Sequence, residues 1–221
     1  DNDHYLITVA GTKYALRVYR YNKYWLQHAS DYLFELEWLI YLHEKGLPVA
    51  YPIKRHDGGF LGKINAPEGV RYCALFSFAD GTYRDITAEG SFLLGEAVAR
   101  IHLVSNEFQT AHDRLQIDLD FLLDQPLQRI KHFLGERRPK DVALVTEHAA
   151  VLKSKILKLD FGADGWGIIG GDFHGWNLHF TEDNQLTLFD FDLCGYGWRA
   201  FDLAVFNQHD SRVSDQSYHC N

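Results

Sequence analysis

The spacing of hydrophobic and polar positions changes twice along the chain. Tyr5-Leu6-Ile7-Thr8-Val9 and Tyr14-Ala15-Leu16-Arg17-Val18-Tyr19 are rich in β-branched and aromatic residues, and Ala10-Gly11-Thr12-Lys13 between them reads as a short hairpin connection. A helical period follows: Leu33, Leu36, Leu39 and Ile40 recur on one face, with Ser30 as the N-cap and Gly46 and Pro48 as stop signals. Pro52-Ile53 and Gly58-Gly59 predict a further hairpin, and Tyr72-Cys73-Ala74-Leu75-Phe76 is the near-continuous apolar run of a buried strand.

Beyond Ala79-Asp80-Gly81 the helical period dominates. Phe92, Leu94, Ala97, Val98 and Ile101 mark one helix, and Pro126 opens a second carrying Leu127, Ile130 and Phe133. A third runs from about Val142 to Leu159, with Val145, Ala149, Leu152 and Ile156 on one face. After Gly162 short strands return at Ile168-Ile169, and Leu178-His179-Phe180 pairs with Leu186-Thr187-Leu188-Phe189 as a hairpin. The order predicts an α+β fold of two lobes. Residues 1–78 form a small antiparallel-sheet lobe with one helix, and residues 79–221 form a larger, mainly helical lobe.

Composition narrows the function classes. The 221 residues are 46% hydrophobic and 24% charged, which excludes a disordered or collagenous chain. The net charge of −8 offers no basic field for a nucleic-acid backbone or an anionic membrane. No run approaches the roughly 18 apolar residues of a membrane span, and Asp1-Asn2-Asp3-His4 is unlike the basic start of a signal peptide. Cys73, Cys194 and Cys220 are odd in number and lack a CxxC spacing, which fits a reducing, cytoplasmic setting.

Candidate chemistry concentrates between residues 170 and 202. Asp190 ends one strand of the predicted hairpin and Asp172 lies in the loop before the other, so folding brings two carboxylates together in a cation site. Four residues separate Asp172 from Asn177, as in the phosphoryl-transfer loop H-R-D-x-x-x-x-N, and Asp190-Phe191 stands where D-F-G begins. Phosphoryl transfer needs Mg²⁺ on the phosphates and a positioned base at the attacking hydroxyl. Hard Mg²⁺ takes oxygen ligands, which an Asp and an Asn supply.

Gly171-Asp172-Phe173-His174-Gly175-Trp176-Asn177, Leu188-Phe189-Asp190-Phe191-Asp192 and Phe201-Asp202-Leu203-Ala204 together resemble the aminoglycoside phosphotransferase and choline kinase-like family, relatives of the protein kinases. The resemblance implies Asp172 as catalytic base, Asn177 and Asp190 as Mg²⁺ ligands, and His174 and Asp202 as supports of the loop. It implies Arg17 as the phosphate-contacting cation, with Glu35 as its helix partner ahead of Glu37. Ser77, Phe78 and Ala79 match the hinge where adenine of ATP hydrogen-bonds to backbone. The implied activity moves the γ-phosphoryl of ATP to a hydroxyl of a small molecule such as an aminoglycoside, choline or homoserine.

Two departures stand out. Gly170 replaces the usual loop His, so the customary local brace is missing, and Arg17 replaces a Lys. Met is 0, and only 19 residues follow Asp202, so the chain reads as part of a longer one, without its phosphate-covering glycine loop and its acceptor lid. Two other function classes stay open: a catalytically silent nucleotide-binding module, and a dinuclear metallophosphoesterase suggested by Gly171-Asp172-Phe173-His174-Gly175 alone. Of the remaining candidates, His102 and His179 read as packed or surface histidines, and Cys194 as a small buried thiol.

Overall fold

The computed structural model describes residues 2–83 and 87–214; Cys220 lies outside them. Strands β1 (Asp3–Val9) and β2 (Thr12–Val18) pair antiparallel, with Val9 opposite Thr12. The turn is therefore only two residues long. Ala10 and Gly11 both take positive φ (50° and 83°), the mirror-image turn whose twist matches that of the strands. Helix α1 (Ala29–Glu44) follows, then β3 (Gly62–Ala66) and β4 (Gly69–Ser77). These strands form one antiparallel sheet in the order β1-β2-β4-β3.

Three local expectations are corrected here. The N-cap of α1 is His28, because the Asp31 carboxylate reaches back to accept from the backbone N–H groups of Gln27 and His28. Ser30 instead accepts a hydrogen bond from the Asp113 N–H. Gly58-Gly59 lies in a tight turn closed by Arg55 N–H on Gly59 O, not between paired strands, while Pro52 bridges to Phe76. Finally, β4 is buried on one face: Ala74 and Phe76 are covered, whereas Tyr72, Cys73 and Leu75 are half-buried.

The rest of the chain is mainly helical. Helix α2 (Ala88–Val104), capped by the Thr87 hydroxyl, buries Leu94, Ala97, Val98 and Ile101. After β5 (Gln116–Ile117) come α3 (Gln125–Leu134) and α4 (Pro139–Ile156), then β6 (Trp166–Ile169). The hairpin β7 (Leu178–Phe180) and β8 (Leu186–Leu188) precedes β9 (Gly195–Trp198) and α5 (Arg199–Ser214). Strand β9 sits between β5 and β6 in a second small sheet that short, glycine-containing segments did not announce. Among the described residues no helix is long and apolar enough to cross a membrane.

The main core joins the sheet lobe to the helical one. Trp38, Phe34 and Leu42 of α1 are fully buried in one cluster with Ile101 of α2, Leu178, Leu188 and Phe191. The Trp38 indole N–H donates to Ser105 Oγ at 2.8 Å, so α1 is fixed to the end of α2 by polar as well as apolar contact. By contrast, α3 and α4 bury no side chain completely. Phe133, Val145 and Leu152 are 70%, 39% and 47% exposed, so the predicted apolar face of α4 is only partly covered, with Ala149 and Ile156 half-buried.

Candidate active site

Strand β2 delivers Arg17 into the interior because its side chains alternate faces. A buried guanidinium is costly unless it is paired. Arg17 Nη1 lies 2.6 Å from Glu35 Oε1, and the Tyr19 hydroxyl donates to Glu35 Oε2 at 2.9 Å. The guanidinium also rests on the Phe76 ring, 4.6 Å from its centroid. Burial works against its charge, but Glu35 and then Asp190 outweigh it and hold the arginine above its ordinary pKa. Glu37 faces elsewhere, toward Thr110 and His112.

The second functional segment starts at β6. Gly170 and Gly171 donate their N–H groups to Asp202 at 3.1 and 2.7 Å, and the other partner of that carboxylate is His102 Nε2 at 2.8 Å. All three residues are buried with it. A Cβ on Gly170 would lie 2.2 Å from the Phe173 ring, so the absence of a side chain there makes room for Phe173. Phe173 in turn meets Phe191 edge-on at 5.5 Å, and Phe191 meets Trp38 at 5.6 Å. One aromatic run thus links the catalytic-loop segment, the Asp190-Phe191 segment and α1.

Asp172 is partly exposed. Asn177 Nδ2 donates to its backbone oxygen at 3.0 Å and to its carboxylate at 3.1 Å, while His174 Nε2 stands 3.4 Å from the carboxylate. His174 also caps the turn, its Nδ1 accepting from Trp176 N–H. Pairing of β7 with β8 and a bond from Phe189 N–H to Asn177 O bring Asp190 beside this loop. Asp190 has φ of 62°, a left-handed conformation that an L-residue holds only where its surroundings impose it. Its Oδ1 is 3.4 Å from Arg17 Nη2.

Arg17 and Asp190 form one end of a cavity of about 230 Å³. Ala15, Ala50, Phe76 and Phe189 supply apolar walls, and Ser77, Phe78 and Ala79 line its edge. Such a mostly apolar cleft with a few convergent polar groups is the usual form of a small-molecule site. Glu35 is not in the wall; it is buried behind Arg17 and acts through it.

The model of the phosphotransferase enzyme family (APH) matches residues 1–215. The chain belongs to that family. It is 39% identical over 209 residues to the uncharacterized protein sll1119 of Synechocystis sp., covering 94% of this chain and 57% of that protein. Among solved structures, amicoumacin kinase hAmiN in complex with AMP-PNP, Ca²⁺ and Ami aligns with a TM-score of 0.79 at 23% identity, covering 99% of this chain and 64% of that one. A microcompartment-associated aminopropanol kinase aligns at 0.73 and 24% identity, covering 96% and 69%. The fold is the two-lobed, protein-kinase-like α+β fold of these phosphotransferases. The chain spans about half the length of the curated relatives it matches.

Within this family fold, the donor set suits a divalent cation. Asp190 Oδ1 takes no hydrogen bond and faces Arg17 Nη2 at 3.4 Å, so the carboxylate keeps lone pairs free for a metal ion. With its amide nitrogen committed to Asp172, Asn177 keeps its side-chain oxygen as a second hard ligand.

Further residues at the site had no functional role in the sequence pattern. Asp192, one residue beyond Phe191, is buried and receives Lys23 Nζ and Asn2 Nδ2 on one oxygen. Burial raises its pKa, but Lys23 and then Arg17 more than offset that, so its carboxyl titrates below the ordinary range. His179 lines the cavity, with Nδ1 2.9 Å from Ala79 O, and His102 braces Asp202. His102 is thus a packed histidine that also braces Asp202, and half-buried His179 faces the cavity. Cys194 is fully buried beside this segment, and burial pushes its thiol up to about 12.

Proposed function

We propose that the protein is an ATP-dependent phosphotransferase that moves the γ-phosphoryl group to a hydroxyl of a small molecule. The observation that carries this reading is the convergence of Arg17 and the Asp190 carboxylate, 3.4 Å apart, on an apolar cavity beside the Asp172 loop. In this reading residues 1–78 hold the nucleotide and the chain from 79 onward carries the catalytic groups. Adenine enters between the apolar walls against Ser77 to Ala79, and Arg17 meets the phosphates.

Asn177 and Asp190 hold Mg²⁺, which when bound neutralises charge on the phosphates. Asp172, steadied by Asn177, orients the acceptor hydroxyl and takes its proton on the carboxylate. As the acceptor oxygen bonds to the γ-phosphorus, the bond to the bridging oxygen of ADP breaks, and its electrons leave with ADP. The half-buried and buried thiols Cys73 and Cys194 are both free, which supports a cytoplasmic setting, where ATP is also present. The acceptor class follows the names of the similar kinases; amino alcohols, aminoglycosides and homoserine make the first panel.

The two other readings have less support. The missing loop His and the Arg for Lys exchange suggested a silent module, yet Asp202 with His102 braces the loop and Glu35 neutralises Arg17. The dinuclear hydrolase needs a ligand cluster, and among the described residues no group of three or more His, Cys, Asp or Glu side chains is arranged to hold an ion.

The test is transfer of labelled γ-phosphate from ATP across the acceptor panel by the intact protein. Asp172→Asn should lower turnover by roughly 10²- to 10⁴-fold and leave Mg-AMP-PNP binding intact. Near-normal turnover in Asp172→Asn defeats the mechanism; nucleotide binding without transfer to any acceptor favours the silent module.

A further inference from the structure

Arg114 lies just before β5, outside the cavity wall and the loop carrying Asp172, and is 6% exposed. Its guanidinium forks across three main-chain oxygens. Nε donates to Cys194 O at 2.6 Å, Nη1 to Asp31 O at 2.5 Å, and Nη2 to Asp192 O. Burying a permanent charge in this way is favourable only because its donors are satisfied together; arginine spreads them over three nitrogens in a rigid plane and so reaches three separated carbonyls, whereas lysine offers its donors from one nitrogen.

The three carbonyls belong to two segments with a shared task. Asp31 is in the first turn of α1, one turn before Glu35. Asp192 and Cys194 follow Asp190 directly, in the stretch that turns from β8 into β9. The Asp192 side chain is tied from the other direction by Lys23 and Asn2. The turn carrying Asp190 is therefore held on both sides, by its side chain and by its backbone.

We propose that Arg114 is a positioning residue that fixes the Asp190–Cys194 turn to α1, so that the Asp190 carboxylate and the Arg17–Glu35 pair keep the spacing required by a metal-bound nucleoside triphosphate. This inference rests on the kinase reading above. Arg114 takes no part in the cavity wall, so the base and its hinge contacts do not depend on it. Its loss acts on the metal-dependent part of nucleotide affinity, in the way that partners behind a metal ligand tune a site they do not touch.

Titration calorimetry of AMP-PNP into the intact protein, once with Mg²⁺ and once with EDTA, separates the two parts. Wild type should bind more tightly with Mg²⁺; if it shows no such gain, the kinase reading itself fails before any variant is compared. Arg114→Lys should keep the EDTA affinity within about twofold and lose about tenfold of the Mg²⁺-dependent gain. Arg114→Met should lose at least as much. If it does not fold, Arg114→Lys alone decides the matter. A full Mg²⁺ gain in Arg114→Lys overturns the proposal, as does an equal loss with and without metal, the signature of general loosening.

Discussion

Replacing Asp202 by Asn keeps size and shape while removing one acceptor from a fully used carboxylate. Asp202 is 1% exposed, and its oxygens take Gly171 N–H at 2.7 Å, Gly170 N–H at 3.1 Å and His102 Nε2 at 2.8 Å. The amide introduced by Asp202→Asn can keep its oxygen on Gly171, which turns its NH₂ toward the other two donors. His102 can adapt by exchanging tautomers and accepting; the Gly170 N–H cannot. One buried N–H is left unpaired, at a cost of about 2 kcal/mol. For a chain of this size that lowers Tm by roughly 4–8 °C. The loop between Gly170 and Asn177 also loses an anchor, and a displacement of the order of 1 Å at Asp172 should lower turnover by roughly 10²-fold. Calorimetric unfolding and the phosphate-transfer assay check both, with Glu96→Gln on the exposed side of α2 as a control. A Tm within about 1 °C of that control refutes the bracing argument.

Three further outcomes are expected. Asp190→Ala should weaken AMP-PNP binding in Mg²⁺ by at least about tenfold, and EDTA should erase the difference from wild type, as calorimetry would show. At pH 8 a thiol with a pKa of about 12 is ionised to only about 10⁻⁴, so iodoacetamide should label Cys194 only after unfolding, whereas half-buried Cys73 reacts in the native protein; peptide mass spectrometry distinguishes the two. Gly170→Ala drives a methyl into the Phe173 ring and should destabilise by about 1–3 kcal/mol, and Phe173→Leu in the same chain should recover part of that loss, both read from the urea midpoint.

Much of the site was legible because its chemistry is local in sequence. Asp172 and Asn177 sit in one turn and Asp190 ends the neighbouring hairpin strand, so spacing brings them into view, while Arg17 comes into view through the family resemblance. Helix existence was equally legible from the recurrence of Leu36, Leu39, Leu94 and Ile101. Boundaries were less so: Ser30 and Asp31 are both good residues for a helix start, and only the backbone geometry shows Asp31 closing on His28.

The partnerships that no motif signals are long-range. His102 meets Asp202 across 100 positions, Lys23 meets Asp192 across 169, and Arg114 joins segments about 80 positions away on either side. None has a spacing that a motif could record. The face of α4 marks the opposite limit, since an amphipathic period states that a helix has an apolar side without stating what covers it.

The sequence by itself determined the family, the two-lobed plan with its sheet hairpin and first long helices, and the residue types that a phosphate and a hard cation require. Tertiary structure alone decided which buried charges are paired. Desolvation makes an unpaired charge or N–H expensive, so every such group must find a partner wherever the fold supplies one. For Gly170, Asp192 and the Asp190–Cys194 turn, that partner lies far away in the chain.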